Sequence, residues 1–144
     1  MSADPSINPD FANFTKVFVN YVDGFSFTGD LDTPVYHAAT NQTLYFRGKR
    51  NLIAVFHALA TDYGLRKAKR IIISGNSAGG LTVFLHLDQI AAMLKTLAPN
   101  ANVIGFPDGG YFLDARNTQG EFVFRSEMNS TFVLSNGTSG IDPT

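Results

Sequence analysis

The sequence predicts an α/β fold, with a parallel sheet and flanking helices. Residues 70–74 and 102–106 are apolar runs without alternation, which is typical of parallel strands covered on both faces. Apolar residues recur at helical spacing before and between these runs. The resulting order of strand, helix, strand, helix and strand predicts a parallel sheet with right-handed crossovers.

Length and composition favour one globular domain. The chain has 144 residues, 44% of them hydrophobic and 16% charged, which suits a packed core rather than disorder. The net charge of −1 provides no positive field for a nucleic acid, so we expect no such partner. We interpret the basic run at 66–70 as a solvated loop beside a strand.

Several other classes of protein are disfavoured. Because the chain has no cysteine, it can form neither a disulfide nor a thiolate metal site, and we expect no metal and no cofactor. No apolar stretch approaches the roughly 18 residues of a membrane span, and the first residues do not resemble a signal peptide.

The first half of the chain predicts a strand, a long loop and a helix. Residues 15–21 alternate with β-branched and aromatic side chains, which predicts a strand. Residues 22–47 form a polar connection whose length indicates a functional loop. Residues 49–63 predict an amphipathic helix that Gly64 ends. Its apolar positions are Leu52, Val55, Phe56, Leu59 and Tyr63.

The second half predicts two strands around a second helix. The strand at 70–74 leads through a glycine-rich turn into a helix that Pro99 terminates, and a strand at 102–106 follows. From residue 115 to residue 144 the chain is polar, and we expect weak order there. The apolar face of the second helix is assigned to Leu81, Phe84, Leu85, Met93 and Leu97.

The glycine-rich turn carries the chemistry. A dinucleotide fingerprint requires glycine where the chain has Ser77, and a P-loop requires lysine where it has Leu81, so both phosphate-binding interpretations fail. The pattern G-x-S-x-G is satisfied, with Gly75 and Gly79 on either side of the serine. We predict a nucleophile elbow, in which Ser77 is the catalytic nucleophile and both glycines avoid collisions in the turn. The backbone N–H of Ala78 then forms half of an oxyanion hole.

A serine nucleophile needs a histidine base and a carboxylate that orients it. His86 is the only histidine after the serine, but it lies roughly 13 Å further along the same helix, so we interpret it as structural. His57 and His37 are interpreted as packing or surface residues, with His37 favoured of the two because its loop could overhang the site. Asp108 could reach the same rim of the sheet, although we favour a structural role in the turn that follows it.

Four ordered blocks resemble the pectin acetylesterase family, which includes the Notum-type carboxylesterases. The resemblance implies an α/β-hydrolase-like fold and Ser-Asp-His hydrolysis of acyl esters, with Ser77 as nucleophile and Ala78 as oxyanion donor. The blocks are NPDFANFTKVFVNYVDGFSFTGD (8–30), NQTLYFRGKRNLIAVFHAL (41–59), GNSAGGLTVFLHLD (75–88) and PDGGYFLDARN (107–117).

The same resemblance implies that residues 1–144 are the central portion of one domain. In the family the catalytic Asp and His follow much later, a Gly-Gly-Gly-Trp-type loop completes the oxyanion hole upstream, and Asp108 matches a structural position. Val22 and Asn76 stand where members usually have cysteine. The first change removes a disulfide anchor, and the second falls at a variable position.

We expect the parent enzyme to remove acetyl groups from pectin or a related cell-wall polysaccharide, with the ester substrate as its partner. Two alternatives stay open, a catalytically incomplete remnant that at most binds carbohydrate and a Notum-like lipid-ester hydrolase whose pocket is walled by Phe25, Phe27 and Tyr36. The resemblance also implies secretion. The chain carries glycosylation sequons at Asn13, Asn41, Asn129 and Asn136.

Overall fold

The computed structural model describes residues 2–141. Its central feature is a parallel strand pair in which Ile71 lies opposite Val103 and Asn76 lies opposite Asp108, confirming the predicted α/β class. A short turn of 3-10 helix, Leu65–Lys67, precedes this pair. The elements are β1 (Val35–His37), β2 (Gln42–Leu44), α1 (Gly48–Asp62), β3 (Arg70–Asn76), α2 (Ala78–Leu97), β4 (Asn102–Asp108), α3 (Val123–Leu134) and α4 (Gly137–Gly140).

Helix α1 follows the predicted amphipathic pattern. Leu52, Phe56 and Ala60 recur every fourth residue, and all three are buried in the main core. Gly64 adopts a left-handed conformation with φ 77°, which confirms it as the stop signal. Tyr63 was wrongly assigned to the apolar face, since it lies just past the helix and is 74% exposed.

Helix α2 buries a different face from the one predicted. Phe84, assigned to the apolar face, is 59% exposed, and Leu81, Leu85 and Met93 are only half-buried. The buried face of α2 forms a stripe along the helix, and this stripe contains a polar residue, His86, between two apolar turns. The buried positions along this stripe are Val83, His86, Ile90, Leu94 and Leu97. Its last three positions pack with the buried residues of α1, Ile71 and Phe27 in the main core.

Three other segments differ from expectation. Residues 15–21 form no strand, because β-propensity needs a ladder partner and the described residues offer none. The loop 22–47 contains an antiparallel hairpin, with Val35 opposite Leu44. The tail from residue 115 contains α3 and α4, although no residue of α3 is buried. The weak order expected for residues 115–144 stays a prediction, and residues 142–144 lie outside the described part of the chain.

A membrane span is not found among the helices described. None of the helices within residues 2–141 combines the length and apolar character that crossing a bilayer requires.

Candidate active site

Ser77 lies in a sharp turn between β3 and α2. Its backbone has φ 55° and ψ −117°, a conformation that costs a non-glycine residue about 1–3 kcal/mol. The Ser77 N–H donates to the Asp108 carbonyl at 2.9 Å, which fastens the turn to the end of the neighbouring strand. The side chain is exposed, and its hydroxyl has no hydrogen-bond partner among residues 2–141. This strand–turn–helix geometry agrees with the turn predicted at Ser77.

The glycines around Ser77 are not equally crowded. A Cβ added to Gly75 would lie 2.5 Å from the backbone carbonyl of Gly79, so Gly75 is needed for close approach. A Cβ on Gly79 itself would meet nothing within 4 Å, so the steric reason offered for this glycine is wrong within the described residues. The second crowded position is Gly80, where a Cβ would lie 2.7 Å from the Asp108 carbonyl. Its neighbour there is Gly110, which packs directly against it.

The backbone N–H of Ala78 is available to an anion. Ala78 is the first residue of α2, and the first N–H groups of a helix have no acceptor within it. The partial positive charge of a helix N-terminus favours negative charge at this position. The arrangement can therefore stabilise an oxyanion formed at a carbon that Ser77 attacks.

Ser77 and Ala78 open on a cavity of about 210 Å³. Its walls come from the 21–26 segment, the start of α2, the loop after β4 and α3. The rings of Phe112 and Phe124 stack on one another at 5.2 Å within this wall. The lining residues are Tyr21, Gly24, Phe25, Ser26, Ser77, Ala78, Leu81, Phe112, Phe124 and Met128. The cavity beside Ser77 thus has mostly apolar and aromatic walls.

The pocket wall was predicted only in part. Of the three aromatic residues assigned to it, Phe25 does line the cavity. Phe27 instead belongs to the buried core, and Tyr36 is 62% exposed on the hairpin. An aromatic side chain in a long loop can face the cavity, the core or the solvent, and the composition of this loop did not indicate which of these each ring would face.

Asp23 organises the loop beside Ser77, and the sequence analysis missed it. Its buried carboxylate accepts hydrogen bonds from the backbone N–H groups of Phe25, Phe27 and Gly29 at 3.1–3.2 Å. Gly48, the first residue of α1, leaves room for this carboxylate. An aspartate followed by glycine in a Gly- and Ser-rich loop is a local signal for such a turn and could have revealed it.

None of the three histidines lies at the cavity among residues 2–141. His37 is exposed on the hairpin with its Nδ1 2.7 Å from the Thr40 hydroxyl, so its loop does not overhang Ser77. His57 is exposed on α1. His86 is fully buried with its Nε2 3.0 Å from the Ser26 carbonyl oxygen, which agrees with the structural role assigned to it.

The pKa of the His86 imidazole lies below its ordinary value because burial disfavours its charged form. The hydrogen bond to Ser26 and the charge of Asp23 oppose this effect, whereas the charge of Lys49 adds to it. His86 is therefore a neutral side chain at neutral pH.

Asp108 connects the ends of the two strands. Its carbonyl accepts the Ser77 N–H, and its carboxylate accepts the Asn76 side-chain amide at 3.0 Å. Asn76 thus forms a polar link across the strand pair. Among residues 2–141, no group of three or more His, Cys, Asp or Glu side chains could hold a metal ion.

Comparison with known proteins identifies the family of this chain. The family model described as pectinacetylesterase matches residues 1–143. The chain belongs to the pectinacetylesterase family. Its α/β-hydrolase-like architecture, a parallel strand pair with flanking helices, agrees with this membership.

Relatives of two kinds share this family resemblance. Pectin acetylesterase 11 of Arabidopsis thaliana is 39% identical over 115 residues, covering 80% of this chain and 27% of that protein. Pectin acetylesterase 4 of the same plant is 32% identical over 142 residues, covering 99% of this chain and 33% of that protein. The palmitoleoyl-protein carboxylesterase NOTUM of Mus musculus is 31% identical over 115 residues, covering 79% and 22%.

The fold is also found in a solved structure. The Wnt deacylase Notum from Drosophila superposes with a TM-score of 0.82 at 27% identity, covering 99% of this chain and 41% of that one. The chain therefore spans about a third or less of the curated relatives named above. Their names describe esterases that act on two different kinds of ester.

Proposed function

We propose that this chain carries the nucleophile of a serine-type carboxylic-ester hydrolase, and that Ser77 is that nucleophile. The observation that supports this most is the backbone of Ser77, which is held at positive φ where β3 passes into α2 and presents the hydroxyl to an apolar cavity. Membership of a family of esterases gives independent support.

In the proposed reaction the Ser77 hydroxyl oxygen bonds to the acyl carbon of the ester. A base takes the Ser77 proton as this bond forms, and the Ala78 N–H donates to the oxyanion. The C–O bond to the alcohol then breaks as the base passes that proton to the alcohol oxygen. Water attacks the acyl-serine, which releases the carboxylic acid and restores the hydroxyl. Because the histidines at 37, 57 and 86 lie away from this cavity, we propose that the base and its carboxylate come from sequence outside these 144 residues.

We propose acetyl esters of pectin or a related polysaccharide as the substrate, outside the cell. The pectin acetylesterases of Arabidopsis thaliana among the relatives support this choice. The test compares hydrolysis of 4-nitrophenyl acetate by the full-length protein and by its Ser77→Ala and Ser74→Ala variants. Ser74 is an exposed serine on β3, three residues before Ser77, so its variant controls for general damage.

Loss of turnover in Ser77→Ala with retention in Ser74→Ala is the expected result. Equal turnover in both variants would refute Ser77 as nucleophile. A fluorophosphonate probe applied to the 144-residue chain decides a separate question. Labelling at Ser77 would show an activated hydroxyl and would contradict the alternative of a non-catalytic remnant that at most binds carbohydrate.

A longer acyl chain is a second candidate, favoured by one further observation. A neighbouring cavity of about 280 Å³ shares Phe25, Leu81 and Met128 with the cavity of Ser77, so apolar space continues beyond it. The comparison of 4-nitrophenyl acetate with the octanoate decides between the two substrates. A higher kcat/KM for the octanoate would favour the lipid-ester hydrolase, and a higher value for the acetate would favour deacetylation.

A further inference from the structure

Both backbone polar groups of Ser26, its N–H and its carbonyl, form hydrogen bonds with side chains of other residues. Its N–H donates to the hydroxyl oxygen of Tyr21 at 3.0 Å, and its carbonyl accepts a hydrogen bond from His86 Nε2, also at 3.0 Å. The Thr28 hydroxyl oxygen lies 3.4 Å from the same carbonyl and 3.2 Å from His86 Nε2. Ser26 and His86 are both buried, so water does not replace the contact between them. We call this arrangement the Ser26 clamp.

The clamp holds an unfavourable backbone. Ser26 and the residue after it, Phe27, have φ values of 49° and 58°, in the left-handed region that side chains disfavour. Such conformations persist only where the surroundings over-determine them. The Asp23 carboxylate fixes the N–H groups on either side of Ser26, and the clamp fixes Ser26 itself.

The protonation state of His86 follows from its partners. Its Nε2 lies 3.0 Å from the Ser26 carbonyl oxygen and 3.2 Å from the Thr28 hydroxyl oxygen. A carbonyl oxygen only accepts, so the contact with Ser26 requires the proton on Nε2, and the Thr28 hydroxyl can accept from the same N–H. Nδ1 then keeps a lone pair, and it has no hydrogen-bond partner in the part of the chain that the structure describes. A neutral imidazole with its proton on Nε2 satisfies the loop, and a neutral amide at the same place could do the same.

The clamped segment is a wall of the candidate active site. Tyr21, Gly24, Phe25 and Ser26 line the same cavity as Ser77. The geometry points to His86 as a positioning residue for the Ser77 site, which holds the loop wall in place through the Ser26 carbonyl without touching the substrate. This inference rests on the proposed function, because it assigns His86 a role in shaping the site where the ester would bind.

Three variants of the full-length protein test the donor at Nε2. His86→Leu fills the space but removes the donor, His86→Gln restores an amide donor near Nε2, and Tyr21→Phe removes the acceptor for the Ser26 N–H. Hydrogen exchange of the amides in residues 25–29 reports the loop, and the rate of fluorophosphonate labelling of Ser77 per folded molecule reports the site.

We expect His86→Leu to raise exchange and to slow labelling by about tenfold each, since a buried carbonyl loses its donor. His86→Gln should stay within about threefold of wild type, and Tyr21→Phe should resemble His86→Leu in exchange. The matched controls are His57→Leu and Tyr36→Phe, which alter exposed residues away from the cavity and should leave both rates unchanged.

Two results would overturn the inference. One is wild-type exchange in His86→Leu, and the other is a His86→Gln variant as impaired as His86→Leu, which would mean that shape rather than the donor matters. If wild-type Ser77 is not labelled at all, the proposed function fails. The exchange data still decide whether His86 holds the loop, so the two failures are distinguishable.

Discussion

Two segments with unfavourable backbone conformations meet at the cavity, the elbow at Ser77 and the loop at Ser26, and they are held in different ways. The elbow is held by main-chain contacts, through the Ser77 N–H to the Asp108 carbonyl and the close approach of Gly75 to Gly79. The loop is held by side chains, namely Asp23, Tyr21 and His86.

This difference determines how each segment should fail. A main-chain contact is sensitive to added volume, because nothing but hydrogen fits between the two backbones. A side-chain contact is sensitive to loss of a polar atom, because the buried N–H or C=O that it satisfied is left unpaired. The elbow should therefore tolerate the loss of a side-chain polar atom better than the loop does. The loop should tolerate a small increase in side-chain volume better than the elbow does.

The largest effect should come from added volume in the elbow. We expect Gly75→Ala to lower the free energy of unfolding by about 1–3 kcal/mol, because its Cβ would lie 2.5 Å from the Gly79 backbone. Gly79→Ala is the control, since its Cβ meets nothing within 4 Å, and it should be neutral or stabilising. Urea unfolding measures both. Equal destabilisation would show that the two glycines are equivalent.

Next in size is the loss of a polar atom in the loop. Asp23→Asn keeps the shape but replaces one carboxylate oxygen with an amide that cannot accept from a backbone N–H. We expect a loss of about 1–2 kcal/mol in the free energy of unfolding. Asp32→Asn is the control, since that carboxylate is 89% exposed in its pair with Arg50. Equal losses would contradict a special role for the loop carboxylate.

A smaller change in the free energy of unfolding should follow from a change in pH. Burial lowers the pKa of His86 from its ordinary value of 6.5, so the unfolded chain binds a proton at this site more readily than the folded chain. The contribution of the neutral imidazole to the free energy of unfolding is therefore fully present above pH 6.5. It is lost as the pH falls through 6.5 towards the lowered pKa.

The measurement is the free energy of unfolding at a series of pH values for wild type and His86→Gln, which cannot titrate at this position. We expect the free energy of unfolding of wild type to fall relative to that of His86→Gln as the solution becomes more acidic. Asp23 and Lys49 also act on the imidazole, and both are present in the two proteins. Parallel pH profiles would show that His86 does not contribute.

The smallest effect should come from the exposed link across the strand ends. Asn76→Ala removes one hydrogen bond to the Asp108 carboxylate and should cost about 0.5–1 kcal/mol. A double-mutant cycle with Asp108→Ala isolates this contact, because both residues could also act through other neighbours. A coupling energy of zero would mean that the pair does not contribute to stability.

The elements that local patterns specify were predicted well. Helix α1, strands β3 and β4, and the turn at Ser77 each depend on residues close in sequence, such as the four-residue spacing of Leu52 and Phe56. The segment at 15–21 was wrong because a strand requires a partner from elsewhere. Asp23 and Tyr21 were missed as loop-holding residues because their partners lie within an irregular turn without a repeating pattern.

The sequence by itself therefore determined the run from α1 through β3 and α2 to β4 and the placement of Ser77 between β3 and α2, because spacing and a glycine motif act over a few residues. Only the tertiary structure decided that His86, far along α2, supports the loop that faces this serine. Residues 26 and 86 are distant in the chain, and only the packing of α2 against that loop brings them within hydrogen-bond distance.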